Sequence, residues 1–224
     1  MSLIKEYTKR LSIEALGLFI YALGSMLGIK AGTVGTNAWN TLSLGLGDSA
    51  GLSFGTANFI ISLIIIIIDL VGRGEIGFGT IVNIVLFPIF ADWVLAFFSF
   101  IPVTENTAVG LVLTLLCQII ISFSTIVYML PALGCGPRDA LMIIIGRKTP
   151  KIPIGAVKFC VESAALAVGV LLGAPFGIGT VLVLLLQAGI FQMVCRICRY
   201  EPRDVVHENF SVTIKRVNNA LVKS

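Results

Sequence analysis

Long apolar runs separated by short polar breaks dominate this chain. Six stretches of roughly 20 mostly apolar residues are centred near residues 20, 63, 90, 119, 163 and 187. That is the length of helix needed to cross a hydrocarbon core about 30 Å thick. Two of the polar breaks stand out: "VGTNAWNTL" at residues 34–42 and "LGCGPRDAL" at residues 133–141, the second resembling a new edition of the first.

The resemblance extends along the chain. Shifted by about 100 residues, Gly35 falls on Gly134, Asn40 on Asp139 and Leu42 on Leu141. After one single-residue gap, Gly55 falls on Gly155, Phe59 on Phe159, and "GFGT" (Gly77 to Thr80) on "GIGT" (Gly177 to Thr180). Apolar matches between membrane segments mean little; the glycines and the threonine carry the repeat. Each copy reads as a long helix, a short polar segment and two more long helices. Three spans is an odd number, so the second copy enters the membrane from the opposite side. The expected fold is therefore an all-α polytopic membrane protein with six transmembrane helices, arranged as two inverted-topology three-helix repeats. These occupy residues 1–103 and 104–199, followed by a cytoplasmic amphipathic tail at 200–224. Small-residue spacing predicts close helix contact at Gly24, Gly28 and Gly32, and at Gly169, Gly173 and Gly177.

The short segments predict half-helices. Pro137 suits a first helical turn, Arg138 to Ile145 supply about two turns, and Gly146 suits the stop. In the first copy Asn37 can cap the helix, Trp39 suits a membrane interface and Asn40 faces the way Asp139 does. A helix of this length reaches only about 13 Å. It either lies on the surface as a connector or dips in as a re-entrant element whose backbone ends are covered by protein or water.

Composition agrees: 57% of the 224 residues are hydrophobic and 12% charged, which excludes an ordinary soluble domain. Lysines and arginines orient the chain, because cytoplasmic loops retain positive charge. Lys5, Lys9, Arg10, Arg73, Arg138, Arg147, Lys148, Lys151 and the basic residues from Arg196 onward all fall on one side of a six-helix arrangement with both ends inside; Lys30 falls outside. The net charge of +4 is thus a topology signal and predicts no nucleic-acid surface. The first apolar stretch is too long, and too poor in a cleavage site, for a secretory signal. Amphipathic faces at Leu3, Ile4, Tyr7 and Leu11, and at Phe210, Ile214, Val217 and Leu221, suit helices on the anionic inner surface, with partner docking as the rival use of the tail. The five cysteines predict no disulfide framework, and "CRIC" (Cys195 to Cys198) lacks further ligands for a metal.

Charges within spans cost about 2.5–3.5 kcal/mol each at a helix centre and need an explanation. Lys158 and Glu162 stand one turn apart and can neutralise each other; Asn58 and Ser62 hold the matching positions of the first copy. The plainer reading is a snorkelling lysine near the inner leaflet. Asp92 has no basic neighbour in sequence, and its repeat partner is Gln192. Asp69 is expected to be neutralised by Arg73, and Glu14 lies close to Arg10. Arg138 and Asp139 form either a ligand site for carboxylate or phosphate or a latch that holds the short helix.

"VGTNAWNTLSLGLG", "GFGTIVNIV", "LGCGPRDALMIIIG" and "GIGTVLVLLLQAG" together resemble the YczE/YitT-type bacterial integral membrane proteins. The resemblance spans roughly residues 13–198 and is more specific in the second half. In the first half Ala38 stands where proline is usual and Asn40 where aspartate is common. It implies a multi-pass protein of the bacterial cell membrane and brings no substrate or reaction with it.

The functional expectation is a small transport protein. An unidentified solute or ion would pass through a polar seam between the repeats, bound by Asn37, Asn40, Asn58, Asp92, Arg138, Asp139, Lys158 and Glu162. No catalytic residue, metal or cofactor is expected: "GRGEIG" (Gly72 to Gly77) follows no strand, and "NFS" at Asn209 falls in the cytoplasmic tail. The expected partners are the lipid bilayer and either a homodimer mate or an energising subunit. The competing class is a non-transporting regulator or assembly factor that binds a cytoplasmic partner.

Overall fold

A computed structural model describes residues 3–72, 76–200, 205 and 207–222, without the side chains of Ile154, Val217 and residues 219–222. Arg73, the centre of "GRGEIG", Arg203, and the side chains of Val217 and Leu221 lie outside the described residues. The order of elements is α1 (Leu3–Lys30), a 3-10 turn (Gly32–Val34), α2 (Ala38–Ala50), α3 (Phe54–Val71), α4 (Phe78–Phe97), α5 (Thr107–Met129), α6 (Pro137–Lys148), α7 (Ile154–Leu171), α8 (Ile178–Cys198) and α9 (Phe210–Val222). Among the described residues there is no strand, and α1, α3, α4, α5 and α8 are long and apolar enough to cross a membrane.

Local sequence sets the helix starts. Asn37 caps α2 by accepting from the Asn40 amide at 3.0 Å, Ser53 caps α3 through Thr56 N–H at 3.0 Å, and Asn106 caps α5 through Ala108 and Val109. Pro137 occupies the first turn of α6, where its missing N–H costs no hydrogen bond. Both short helices outrun the expected two turns, with 13 residues in α2 and 12 in α6. Gly146 does not stop α6, which continues through Arg147 and Lys148, cations that favour a helix C-terminus.

Polarity is arranged inside out. Along α4, Phe78, Ile81, Val85, Ile89, Trp93 and Phe97 form an exposed apolar stripe at helical spacing. Asn40, Thr41, Ser43, Asn58, Thr80, Thr114, Ser124 and Thr180 are almost completely buried. A water-soluble protein shows the reverse, whereas a lipid-facing surface requires this arrangement, since hydrocarbon cannot hydrogen-bond a polar group. The chain is a multi-pass membrane protein.

The helices pack as α1 on α5, α1 on α4, α5 on α8, α2 on α7, α3 on α6 and α3 on α4. Small residues permit the central crossing: a Cβ on Gly24 would press on Ile120 and Ile121 of α5, and one on Gly28 would collide with Cys117. Gly169 lies equally tight against Leu42 of α2. Gly32 and Gly173, by contrast, serve turns, with φ of 67° and 92°.

The two polar motifs interlock with the two "G-x-G-T" motifs. Gly35 (φ 87°) leaves no room for a side chain because the Thr180 hydroxyl occupies the space. Gly134 (φ 141°) is pressed in the same way against Thr80. The Thr80 hydroxyl donates to the Cys135 carbonyl at 2.8 Å, and the Gly79 amide donates to the Leu133 carbonyl at 2.9 Å. On the other side, the Thr114 hydroxyl donates to the Gly35 carbonyl at 2.7 Å.

The tail docks onto the helical body before α9 begins. The Glu208 amide donates to the Ala132 carbonyl at 2.8 Å and the Phe210 amide to the Ile76 carbonyl at 3.2 Å. Arg10 reaches Glu208 at 2.6 Å, and no ion pair among the described residues joins it to Glu14, whose carboxylate is buried against Gly79 at the start of α4.

Candidate functional site

A cavity of about 750 Å³ lies among α1 to α8. Six of the eight candidate residues line it: Asn37, Asn58, Arg138, Asp139, Lys158 and Glu162. The first turns of α2 and α6 supply Asn37, Arg138 and Asp139, while α3 and α7 supply Asn58, Lys158 and Glu162. The polar breaks of the sequence thus become walls of one cavity.

The charged groups are specifically placed. Lys158 Nζ stands 2.7 Å from Glu162 Oε1; Glu162 is only 5% exposed, whereas the Lys158 side chain is 32% exposed. Asp139 accepts the Tyr128 hydroxyl at 2.8 Å. Arg138 lies over the ring of Trp39, with Cζ 4.7 Å from the ring centroid. Asn58 donates to Ser43 of α2 at 3.2 Å and ties the half-helix to α3. Asn37 Nδ2 faces Cys117 Sγ at 3.8 Å.

Two candidates stand apart from the cavity. Asn40 is fully buried, with its Nδ2 on Thr36 Oγ1 at 3.3 Å, because the α2 backbone turns it toward its own N-terminal loop. Asp92 receives the Gly55 amide at 2.6 Å and the Ser53 hydroxyl, which places its carboxylate at the start of α3. A carboxylate there satisfies orphan N–H groups and complements the helix dipole. The acid without a basic neighbour in sequence is thus met by a backbone end instead of a base. Asp69 is completely buried, and neither of its carboxylate oxygens has a hydrogen-bond partner among the described residues.

Several wall residues carry no sequence signal. Trp39 faces Arg138 and lines the cavity. Tyr128 and Gln118 come from α5 and Tyr21 from α1. His207 and Val205 of the tail also line the cavity, next to the latch formed by Glu208 with Tyr7 (2.9 Å), Arg10 (2.6 Å) and Arg216 (2.9 Å). Burial pushes the Glu208 carboxyl up, yet the Arg10 and Tyr7 hydrogen bonds and the charges of Arg10 and Arg216 outweigh it and hold the group below the ordinary glutamate value. Burial lowers the His207 imidazole, and the negative charge of Asp139 offsets this in part, so the ring is neutral near pH 7.

The sequence is similar to known proteins. The family described as a family of unknown function, DUF6198, matches residues 8–196. The uncharacterized membrane protein YczE of Bacillus subtilis (strain 168) is 31% identical over 184 residues, covering 81% of this chain and 83% of its own. An uncharacterized protein of Haemophilus influenzae is 29% identical over 174 residues, 78% of each chain. No solved structure matches. The YczE side of the resemblance is therefore established, and the chain belongs to the DUF6198 family.

Proposed function

We propose that this protein is a small, non-enzymatic bacterial transport protein of six spanning helices in two inverted repeats, with a solute path at their interface. Under this reading α1, α3 and α4 span in the first repeat, α5, α7 and α8 in the second, and α2 and α6 are the paired half-helices. Exchanging the repeats exchanges the helix contacts: α1 on α4 becomes α5 on α8, α2 on α7 becomes α6 on α3, and α1 on α5 maps onto itself. The interlocked Gly35–Thr180 and Gly134–Thr80 pairs obey the same exchange.

One observation carries the transport reading: polar and charged residues from both repeats converge on a single large cavity inside a bilayer-embedded body. Groups that are expensive to insert are retained where a solute could meet them. Both termini face the cytoplasm, and the tail segment at Val205 and His207 covers the inner end of the path. Energy comes from an ion gradient or a partner subunit.

Two measurements test this reading. An impermeant thiol reagent should label Ser49→Cys, at the end of α2, and Lys151→Cys, after α6, from opposite faces of the membrane. In a thermal-stability screen of purified protein against small solutes, Lys158→Ala should abolish ligand-induced stabilisation. The regulator reading predicts instead that Lys158 substitutions are silent and that tail deletion removes function. The docking of Glu208 onto Tyr7 and Arg10 speaks against it, because it leaves this part of the tail occupied by its own chain.

A further inference from the structure

We propose that the cavity binds an organic anion, a carboxylate or phosphate joined to a flat body that carries hydrogen-bonding groups, with Arg138 receiving the charge. This deepens the proposed function and rests on its claim that the cavity is a solute site, though not on flux.

Among the ionised groups of the wall, Lys158 and Glu162 are engaged with each other, and Asp139 is engaged by Tyr128 on the first turn of α6, where a helix N-terminus favours an anion. Arg138 is different. No hydrogen bond or ion pair to protein reaches its guanidinium among the described residues; its partner is the Trp39 face. Stacking holds the plane of the group and leaves its N–H perimeter free, which is the geometry that binds carboxylate or phosphate through two parallel bonds. A cationic ligand would meet Asp139, whose Oδ2 already accepts the Tyr128 hydroxyl and whose charge the α6 N-terminus favours.

The body of the ligand is read from the amides. Gln118 and Gln187 are each only 7% exposed, line the cavity and make no side-chain hydrogen bond among the described residues. An amide held out of bulk water without a partner is costly unless water or a ligand satisfies it. With Tyr21, Phe87 and Phe191 also in the wall, the space accepts a flat, partly apolar molecule that presents donors and acceptors along its edge. A volume of about 750 Å³ lies in the range of sites for cofactor-sized organic molecules.

The test uses the full chain in phosphatidylcholine nanodiscs, with thermal unfolding followed against indole-3-propionate, its primary amide, tryptamine and phenyl phosphate. The carboxylate and the phosphate should raise the unfolding midpoint, and the amide and amine should not. Arg138→Gln should weaken the carboxylate by on the order of tenfold or more, read against that variant's own unliganded midpoint; Arg138→Lys should keep part of the response and guards against a misfolded glutamine variant. A parallel set of nanodiscs containing phosphatidylglycerol identifies the source of the anion. If that lipid removes the carboxylate response in the wild type, the headgroup is the occupant of the Arg138 site; if the response persists, the occupant is a soluble acid. Equal responses to carboxylate and amine, a wild-type response in Arg138→Gln, or no response to either anion overturns the proposal. Flux of a cation through proteoliposomes would overturn the ligand class and leave transport standing, whereas anion binding without flux would do the opposite.

Discussion

Arg138 lies over the ring of Trp39, with its Cζ 4.7 Å from the ring centroid, and the two residues hold the same position in the two polar motifs. The contact therefore joins the first turns of α2 and α6 across the seam between the halves of the chain. A cation on an aromatic face is worth about 0.5–1 kcal/mol when exposed and about 2 when desolvated. Trp39→Leu removes the platform without touching the guanidinium. It should weaken binding of an anionic probe by roughly 2- to 30-fold in a titration, while Trp39→Phe retains most of the affinity.

The Lys158–Glu162 pair makes a different prediction. Removing one partner strands a charge away from water, at a cost of about 3–5 kcal/mol in buried pairs, whereas replacing both with apolar groups is often neutral. Lys158→Met alone should lower the unfolding midpoint in detergent clearly, and Lys158→Met combined with Glu162→Leu should recover most of the loss. A double variant no more stable than the single would mean that Glu162 is not held by Lys158.

The sequence discloses the helices, because their signals are local or periodic. Apolar run lengths mark the long helices, Asn37 and Pro137 mark the starts of α2 and α6, and the spacing of Lys158 and Glu162 marks their ion pair. The matched glycines also point to real contacts, although not to which motif meets which. Gly35 packs on Thr180 and Gly134 on Thr80, pairings between distant segments that no local pattern encodes. The same limit explains the site. Asn37, Asn58, Arg138, Asp139, Lys158 and Glu162 are polar in apolar surroundings and so announce themselves. Tyr128 does not, since a tyrosine near the end of a span is ordinary, and only the fold brings it to Asp139. His207 follows the last span and reaches the cavity because Glu208 and Phe210 pin the returning chain.

Asp92 illustrates how a conspicuous residue can serve the scaffold. Its carboxylate accepts the Gly55 amide at 2.6 Å and the Ser53 hydroxyl, so it completes the cap of α3. Asp92→Ala should cost about 0.5–2 kcal/mol of stability, as loss of a helix cap does. Probe affinity in the surviving folded protein should stay at the wild-type level. A loss of affinity larger than the loss of stability would place Asp92 in the solute path after all.

The two interlocking glycines should respond alike. Gly35→Ala and Gly134→Ala each place a methyl group where Thr180 and Thr80 stand, at backbone angles that side chains rarely adopt. Each should lower the unfolding midpoint sharply, and Gly51→Ala, also at positive φ (65°) but with open space around it, should cost less. The comparison separates backbone strain, common to all three, from crowding, which belongs to the interlock alone.

The latch at Glu208 makes the tail sensitive to acid. The carboxyl is held below its ordinary value of 4.5 by hydrogen bonds and charge that outweigh its burial. A group whose value is depressed in the folded state contributes stability that is fully present above the unfolded value and is lost as pH falls through the folded one. The tail should accordingly stay docked from neutral pH down to about 4.5 and release only below it. A fluorophore on Val212→Cys, an exposed position on α9, reports docking through its mobility. Glu208→Gln should loosen the tail already at pH 7, because it removes the negative charge that Arg10 and Arg216 share, and should flatten the acid transition. An unchanged transition in Glu208→Gln would assign the acid response to another group and leave the docking to the backbone bonds at Ala132 and Ile76.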